Sequence, residues 1–244
     1  MIRNILGRIF AFWAMLVFVV TMLLVIIPIA ISGIYKEPRR SVFMHTAFSI
    51  WMDVFFFLSG VSRVFVGRSH FKTGGPYVVV CNHSSFMDVP LSSTGVPGPN
   101  KTIAKIEMSR IPLFGIVYKR GSVLVDRKSE QSRKKSYMMM KQVLQWGLHM
   151  CIYPEGTRNR TPEPLQRFHD GAFRLAADTG TPIIPSLIFY TTIVLPRHKT
   201  FYFWPHRVEM HFLPPVSPEG KSIEALKEEV FVQMRDYYVA NNRP

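Results

Sequence analysis

The segment CNHSSFMDVP, Cys81 to Pro90, sets a histidine and an aspartate five positions apart, directly after the apolar run YVVV. A partly helical turn of that length brings the Asp88 carboxylate beside the His83 imidazole. A carboxylate bonded to one ring nitrogen fixes the tautomer and raises basicity, so the other nitrogen can take a proton from an alcohol. Alone, the spacing is weak, because aspartate also favours helix starts as a cap. A second polar segment, YPEGTRNR from Tyr153 to Arg160, follows another apolar run. Gly156 gives it conformational freedom. The planar fork of Arg158 suits phosphate, and Arg160 adds charge. Glu155 either orients Arg158 or joins the His83 network. An isolated Glu–Arg loop is usually a surface ion pair, but two such loops, each delivered by a strand, carry more weight. Cys81, two positions before His83, suggests a nucleophile. A thiol at the edge of an apolar run is more simply packing, and the same holds for Cys151.

These loops require strands to deliver them. YVVVC, KTIAK at 101–105, SVLVDR at 122–127, MCIYP and PIIPSLIFY read as strands, with two more within 200–213. Helical spacing runs over 129–149, 170–179 and 222–241, and MSRIPLFGIVYK reads as helical or turn-rich. Strands alternating with helices predict an α/β fold, its sheet mostly parallel or mixed and flanked by helices on both faces. In such sheets ligands sit at the carboxyl ends of strands, where both polar loops fall.

The N-terminus differs in kind. Residues 9–34 hold no charged side chain; as a helix these 26 residues reach about 39 Å, more than a hydrocarbon core needs. The stretch lacks a clear small-x-small cleavage site, so it reads as a retained membrane segment, with Pro28 permitting a kink or an end. Residues 42–66 are apolar and aromatic but carry His45, Asp53 and Arg63, which suits an interfacial or partly embedded helix, or one packed on the domain. Basic residues flank both segments, so orientation is not set by charge; a hairpin dipping into one leaflet accounts for that, and a single span with both sides basic is the competing picture. After Gly74-Gly75-Pro76 the pattern changes. The expected division is a membrane-associated helix pair over 1–70 and an α/β domain over 71–244. A net charge of +14 attracts anions: nucleic acid, acidic lipid or phosphorylated substrates. No nucleic-acid motif is present. Two cysteines are too few for a disulfide framework.

In family order, NHSSFMD, GSVLVDR, EGTR and IIPSL resemble the four sequence blocks of the glycerolipid acyltransferases, the group that contains the 1-acylglycerol-3-phosphate acyltransferases. AKIEMSRIPLFG and RFHDGAFRLA are similar to the stretches that precede the second block and follow the third. The resemblance covers about residues 77–189. It implies transfer of a fatty acyl group from acyl-CoA or acyl-carrier protein to the sn-2 hydroxyl of lysophosphatidate, without cofactor, metal or covalent acyl-enzyme. His83 then matches the general base and Asp88 its orienting carboxylate. Arg127, Glu155, Gly156, Thr157 and Arg158 match the acceptor-binding blocks, and Lys105 a further phosphate contact. Two positions depart from the pattern. Where the family often has lysine this chain has His169 or Asp170, so one cation of the pattern is missing or is supplied by Arg167; Ser186 replaces a usual valine. The resemblance also implies a membrane enzyme whose site faces the cytoplasm, at the inner membrane in a bacterium. Other readings are an acyltransferase with a different acceptor such as a lyso-aminolipid or another lysophospholipid, a metal-dependent hydrolase using His83, Asp88 and Glu155, and a non-enzymatic basic membrane or nucleic-acid binder.

Overall fold

The computed structural model describes residues 2–72 and 75–242; Gly74 lies outside the described residues. At its centre is the strand β2 (Val78–Cys81), in which all four side chains are buried. A strand covered on both faces reads as a continuous apolar run, as this one does. Seven strands form one sheet in the order β1-β7-β6-β2-β5-β3-β4. The others are β1 (Arg63–Val66), β3 (Asn100–Lys105), β4 (Ser122–Val125), β5 (His149–Ile152), β6 (Ile183–Phe189) and β7 (Val208–Phe212). All neighbouring pairs are parallel except β6 with β7, so the sheet is mixed.

Alternation along the strands divides the core in two. Val78 and Val80 face one side, where α5 (Glu130–Gln145), α6 (Gly171–Thr179) and α8 (Ile223–Asn241) supply Val143, Phe173, Leu226 and Met234. Val79 and Cys81 face the other, where α1 (Ile2–Ile31), α2 (Arg39–Leu58) and α3 (Asp88–Gly95) supply Ala14, Trp51, Phe56 and Leu91. Each fully buried aliphatic or aromatic side chain contributes about 1.5–3 kcal/mol through loss of apolar surface from water. The expected helices on both faces are therefore present.

The helix α1 runs unbroken through Pro28. Its buried stripe is Gly7, Ala11, Ala14 and Val17, small residues at helical spacing. They bring the helix axis close: a Cβ at Gly7 would fall 2.0 Å from the Tyr202 ring. The opposite face is apolar yet open, with Phe12 61%, Leu24 71% and Ile27 62% exposed. Both α1 and α2 are long and apolar enough to cross a membrane. They are pinned to each other, as Trp51 Nε1 donates to Thr21 Oγ1 at 2.9 Å and Trp13 Nε1 to the Leu58 carbonyl at 2.8 Å.

Their connecting turn is fastened to the sheet by buried charge. Lys101 Nζ on β3 donates to Glu37 Oε1 at 3.2 Å and to the Arg120 carbonyl at 2.8 Å. Glu37 also takes the Ser41 N–H and hydroxyl and pairs with Arg40.

Two expectations are corrected. The stretch 42–66 is not one helix: α2 ends at Leu58, Gly60 adopts φ +71, and β1 pairs in parallel with β7. The sheet thus draws in residues on the helix-pair side of the expected boundary. The range 200–213 holds one strand, not two. The Phe203 and Trp204 N–H groups donate to Gly7 and Val194 carbonyls, and Pro205 has no N–H to offer a ladder.

Replacing Glu37 by alanine would leave the Lys101 ammonium buried without its carboxylate. Breaking such a pair costs about 3–5 kcal/mol, so Glu37→Ala is expected to lower the thermal unfolding midpoint clearly; an unchanged midpoint would contradict this fastening.

Candidate active site

The chain leaves β2 at Asn82, whose side chain fixes its direction. Asn82 Nδ2 donates to the Ile188 carbonyl at 3.0 Å and its Oδ1 accepts the Ile188 N–H at 2.7 Å. This two-point clamp onto β6 sets residues 83–87 over the carboxyl end of the sheet. The next helix, α3, starts with Asp88, which is fully buried. Its Oδ2 accepts the Ser84 N–H at 2.6 Å and the Ser85 N–H at 2.7 Å, and lies 2.8 Å from His83 Nδ1. Its Oδ1 accepts the Thr191 hydroxyl at 2.6 Å. A buried carboxylate that accepts from all its neighbours requires the proton on Nδ1, leaving Nε2 bare. The His83 ring rests against Tyr153, with centroids 4.4 Å apart, and the Tyr153 hydroxyl meets Ser92 Oγ at 2.7 Å.

The Glu155–Arg160 loop grips the same histidine by its backbone. Glu155 Oε1 accepts the His83 N–H at 2.7 Å, and the Asn159 N–H donates to the His83 carbonyl at 2.6 Å. Glu155 Oε2 accepts the Gln166 N–H at 3.0 Å. Both carboxylate oxygens are thus committed to backbone. Glu155 is buried and turned from the cleft, so its matched role in holding acceptor is corrected to one of positioning. Of the two readings open for Glu155, the His83 network holds. Burial pushes its carboxyl up to about 7, against the two N–H bonds that favour the charged form.

A cleft of about 1650 Å³ opens beside His83. One part is lined by apolar residues of α1 and α2, among them Ala14, Phe18, Phe48 and Phe55. Elsewhere it is lined by Lys105, Arg127, Gly156, Thr157, Arg158 and Arg160. Arg127 Nη1 donates to the Gly156 carbonyl, which ties the β4 loop to the Glu155 loop. The Arg158 guanidinium lies 3.7 Å above the Phe86 ring, leaving its edge donors free. Among the described residues neither Arg158 nor Arg160 has a carboxylate partner. Burial, then Arg160 and Arg197, hold the Arg158 pKa below the usual range. Such a surplus of cation in a cleft suits an anionic ligand.

The structure therefore brings together His83, Lys105, Arg127, Gly156, Thr157 and Arg158 around one cleft, with Asp88 buried behind the His83 ring. Arg167 does not line it, Asp170 pairs with Lys227 at 2.6 Å, and His169 packs beside Gly156. Cys81 and Cys151 are fully buried with sulfurs 3.7 Å apart; burial raises the Cys81 thiol well above its usual pKa, which suits packing rather than nucleophilic chemistry. Ser186 is buried in β6 and its hydroxyl bonds the Ile184 carbonyl. Sequence reasoning misses Thr191. Nothing in the pair of threonines after β6 signals that one reaches Asp88, since the contact exists only once β6 lies beside β2.

The family model Acyltransferase matches residues 62–188. The 1-acyl-sn-glycerol-3-phosphate acyltransferase alpha of Homo sapiens is 32% identical over 177 residues, 67% of this chain and 58% of that protein. The probable 1-acyl-sn-glycerol-3-phosphate acyltransferase of Mycoplasma pneumoniae is 32% identical over 144 residues, 56% of this chain and 53% of that one. The chain thus spans about half the length of the curated relatives it matches. The crystal structure of the 1-acyl-sn-glycerophosphate acyltransferase PlsC from Thermotoga maritima superposes with TM-score 0.79 at 21% identity, covering 100% of this chain and 98% of that one. The shared fold includes the mixed sheet and the N-terminal helices.

The raised Glu155 carboxyl has a consequence for stability. The folded protein binds this proton more tightly than the unfolded chain, whose group titrates near 4.5. Its contribution is full below that pH and is lost as pH rises through about 7. The unfolding midpoint of the wild type, compared with Glu155→Gln, is expected to fall between pH 4.5 and 7.5. A constant difference across that range would contradict the buried setting.

Proposed function

This chain belongs to the acyltransferase family, and from that premise we propose that it moves a fatty acyl group from acyl-CoA or an acyl-carrier protein to the sn-2 hydroxyl of lysophosphatidate. One observation carries the reading: a His–Asp pair opens onto a cleft that joins apolar helices to unpaired arginines.

The acceptor hydroxyl is far too weak an acid for prior ionisation by imidazole. His83 Nε2 takes its proton as the oxygen attacks the thioester carbon. The C–O bond forms, the C–S bond breaks, and the departing thiolate recovers the proton from the imidazolium. Because the thioester is already activated, no acyl-enzyme is needed. Asp88 holds the ring in the required tautomer and stabilises the imidazolium that forms. Arg158 with Arg127 and Lys105 holds the acceptor phosphate while the hydroxyl meets Nε2; this positioning lowers the entropic barrier. The Arg127 fork is partly spent on Gly156, which leaves Arg158 the freer of the two arginines.

The apolar exposed face of α1 supports a membrane location, since in water it leaves large side chains without cover. An embedded helix pair lets a lysolipid acceptor meet His83 without leaving the bilayer. Basic residues flanking the helices favour acidic lipid surfaces. The site is assigned to the cytoplasmic face, where acyl-CoA and acyl-carrier protein reside. The donor is a substrate, and the proposed reaction calls for no cofactor.

Release of free thiol from acyl-CoA, with and without lysophosphatidate, tests donor, acceptor and reaction together. His83→Ala is expected to keep its circular dichroism and lose about 10²–10⁴ in rate, the usual worth of general-base help. Retained activity in that variant would remove the proposed base. Equal rates on a lyso-aminolipid without phosphate would overturn the acceptor assignment.

A further inference from the structure

We propose that Arg197 is a third arginine for the acceptor's phosphate monoester, placed on the same cleft as Arg158 by a loop outside the sequence blocks. The proposal rests on the acceptor reading above and extends it to a residue beyond the 62–188 segment that matches the family.

Arg197 is exposed and lines the same cleft as His83, Arg158 and Arg160. Among the described residues none of these three arginines is paired with a carboxylate. Arg160 and Arg197 lie near enough to disfavour the charge on Arg158. Three guanidinium groups on one cleft without a paired acid disfavour one another's charge, and a bound anion relieves that repulsion.

The loop bearing Arg197 is held at both ends. At its start, Thr191 donates to Asp88 Oδ1 at 2.6 Å, the Leu195 N–H to the Thr191 carbonyl at 3.0 Å, and Ser85 Oγ to the Leu195 carbonyl at 3.4 Å. Pro196 then restricts the backbone directly before Arg197. At its far end, Lys199 Nζ donates to Asn4 Oδ1 at 3.1 Å and the Phe203 N–H to the Gly7 carbonyl at 2.9 Å. Tyr202 packs on Gly7 and Phe10 meets Trp204 edge-on at 5.7 Å. One bracket therefore ties the carboxylate behind His83 to the first turns of α1, with Arg197 between them. A loop serving only as a connection needs no unpaired arginine on its cleft side.

The chemistry selects the ligand. The Arg158 guanidinium lies 3.7 Å from the Phe86 ring centroid, on the wall of the cleft. Arg197 lines the same cleft from the loop after β6. A phosphate monoester carries up to two charges and three free oxygens, and it can take forks from two directions. A phosphodiester headgroup carries one charge and blocks an oxygen, so it uses fewer of these donors. The third arginine thus favours the monoester among lysolipids.

Two measurements on the full-length protein test this. In detergent micelles, Arg197→Gln is expected to raise KM for lysophosphatidate about tenfold or more, with kcat within about twofold and donor KM unchanged; Arg197→Lys recovers part of the loss. With 1-monoacylglycerol, which lacks the phosphate, the substitution has no effect. Separately, calorimetry with glycerol 3-phosphate is expected to show binding to the wild type that weakens about tenfold in Arg197→Gln. Unchanged acceptor KM and unchanged glycerol 3-phosphate binding would overturn the inference, as would an equal loss on both acceptors. A wild type that binds glycerol 3-phosphate through Arg197 yet never acylates lysophosphatidate would sink the proposed reaction and leave the anion site standing.

Discussion

The arrangement depends on one buried carboxylate. Asp88 is shut away from water and takes its hydrogen bonds from His83, from the Ser84 and Ser85 backbone, and from Thr191. Such a group is costly to bury unless each lone pair finds a donor. Here the donors come from two strands' loops, so the charge is satisfied only when β2 and β6 lie side by side. The folded sheet and the histidine tautomer are therefore one constraint. The Glu155 loop adds a second hold, closing on both backbone groups of His83 from the β5 side. Ring and backbone of one residue are fixed by three neighbouring strand ends.

The N-terminal helices are placed with similar closeness. Small residues on α1 let it approach the Tyr202 ring, and the buried Lys101–Glu37 pair holds the turn between α1 and α2. Their apolar side chains then form part of the same cleft that His83 enters. The cleft thus carries both apolar and cationic lining beside the imidazole.

Much of this was legible in the residues. Runs such as VVVC and IIPSLIF bury every position, so their apolar continuity marks central strands. The His83–Asp88 spacing allowed the contact that forms at the start of α3, but alone it was a weak sign. What was hidden required distant pairing. Thr191 reaches Asp88 across 103 positions, and no local pattern marks it. Glu155 matched an acceptor contact only through its place in the EGTR block; burial by the surrounding loop spends both its oxygens on backbone instead. The strand β1 was concealed by an apolar stretch that serves α2 first and the sheet afterwards. The second strand expected within 200–213 failed because those amides bond α1 and α7 (Thr191–Val194), a choice set by tertiary packing rather than propensity.

The central claim is that Asp88 leaves His83 with a protonated Nδ1 and a bare Nε2 facing the cleft. Nitrogen NMR of histidine-labelled protein in detergent micelles, assigned by loss of the His83 signals in His83→Ala, reads this directly. At a pH where the ring is neutral, a protonated Nδ1 and an unprotonated Nε2 are predicted. The opposite tautomer, with its proton on Nε2, would contradict the account.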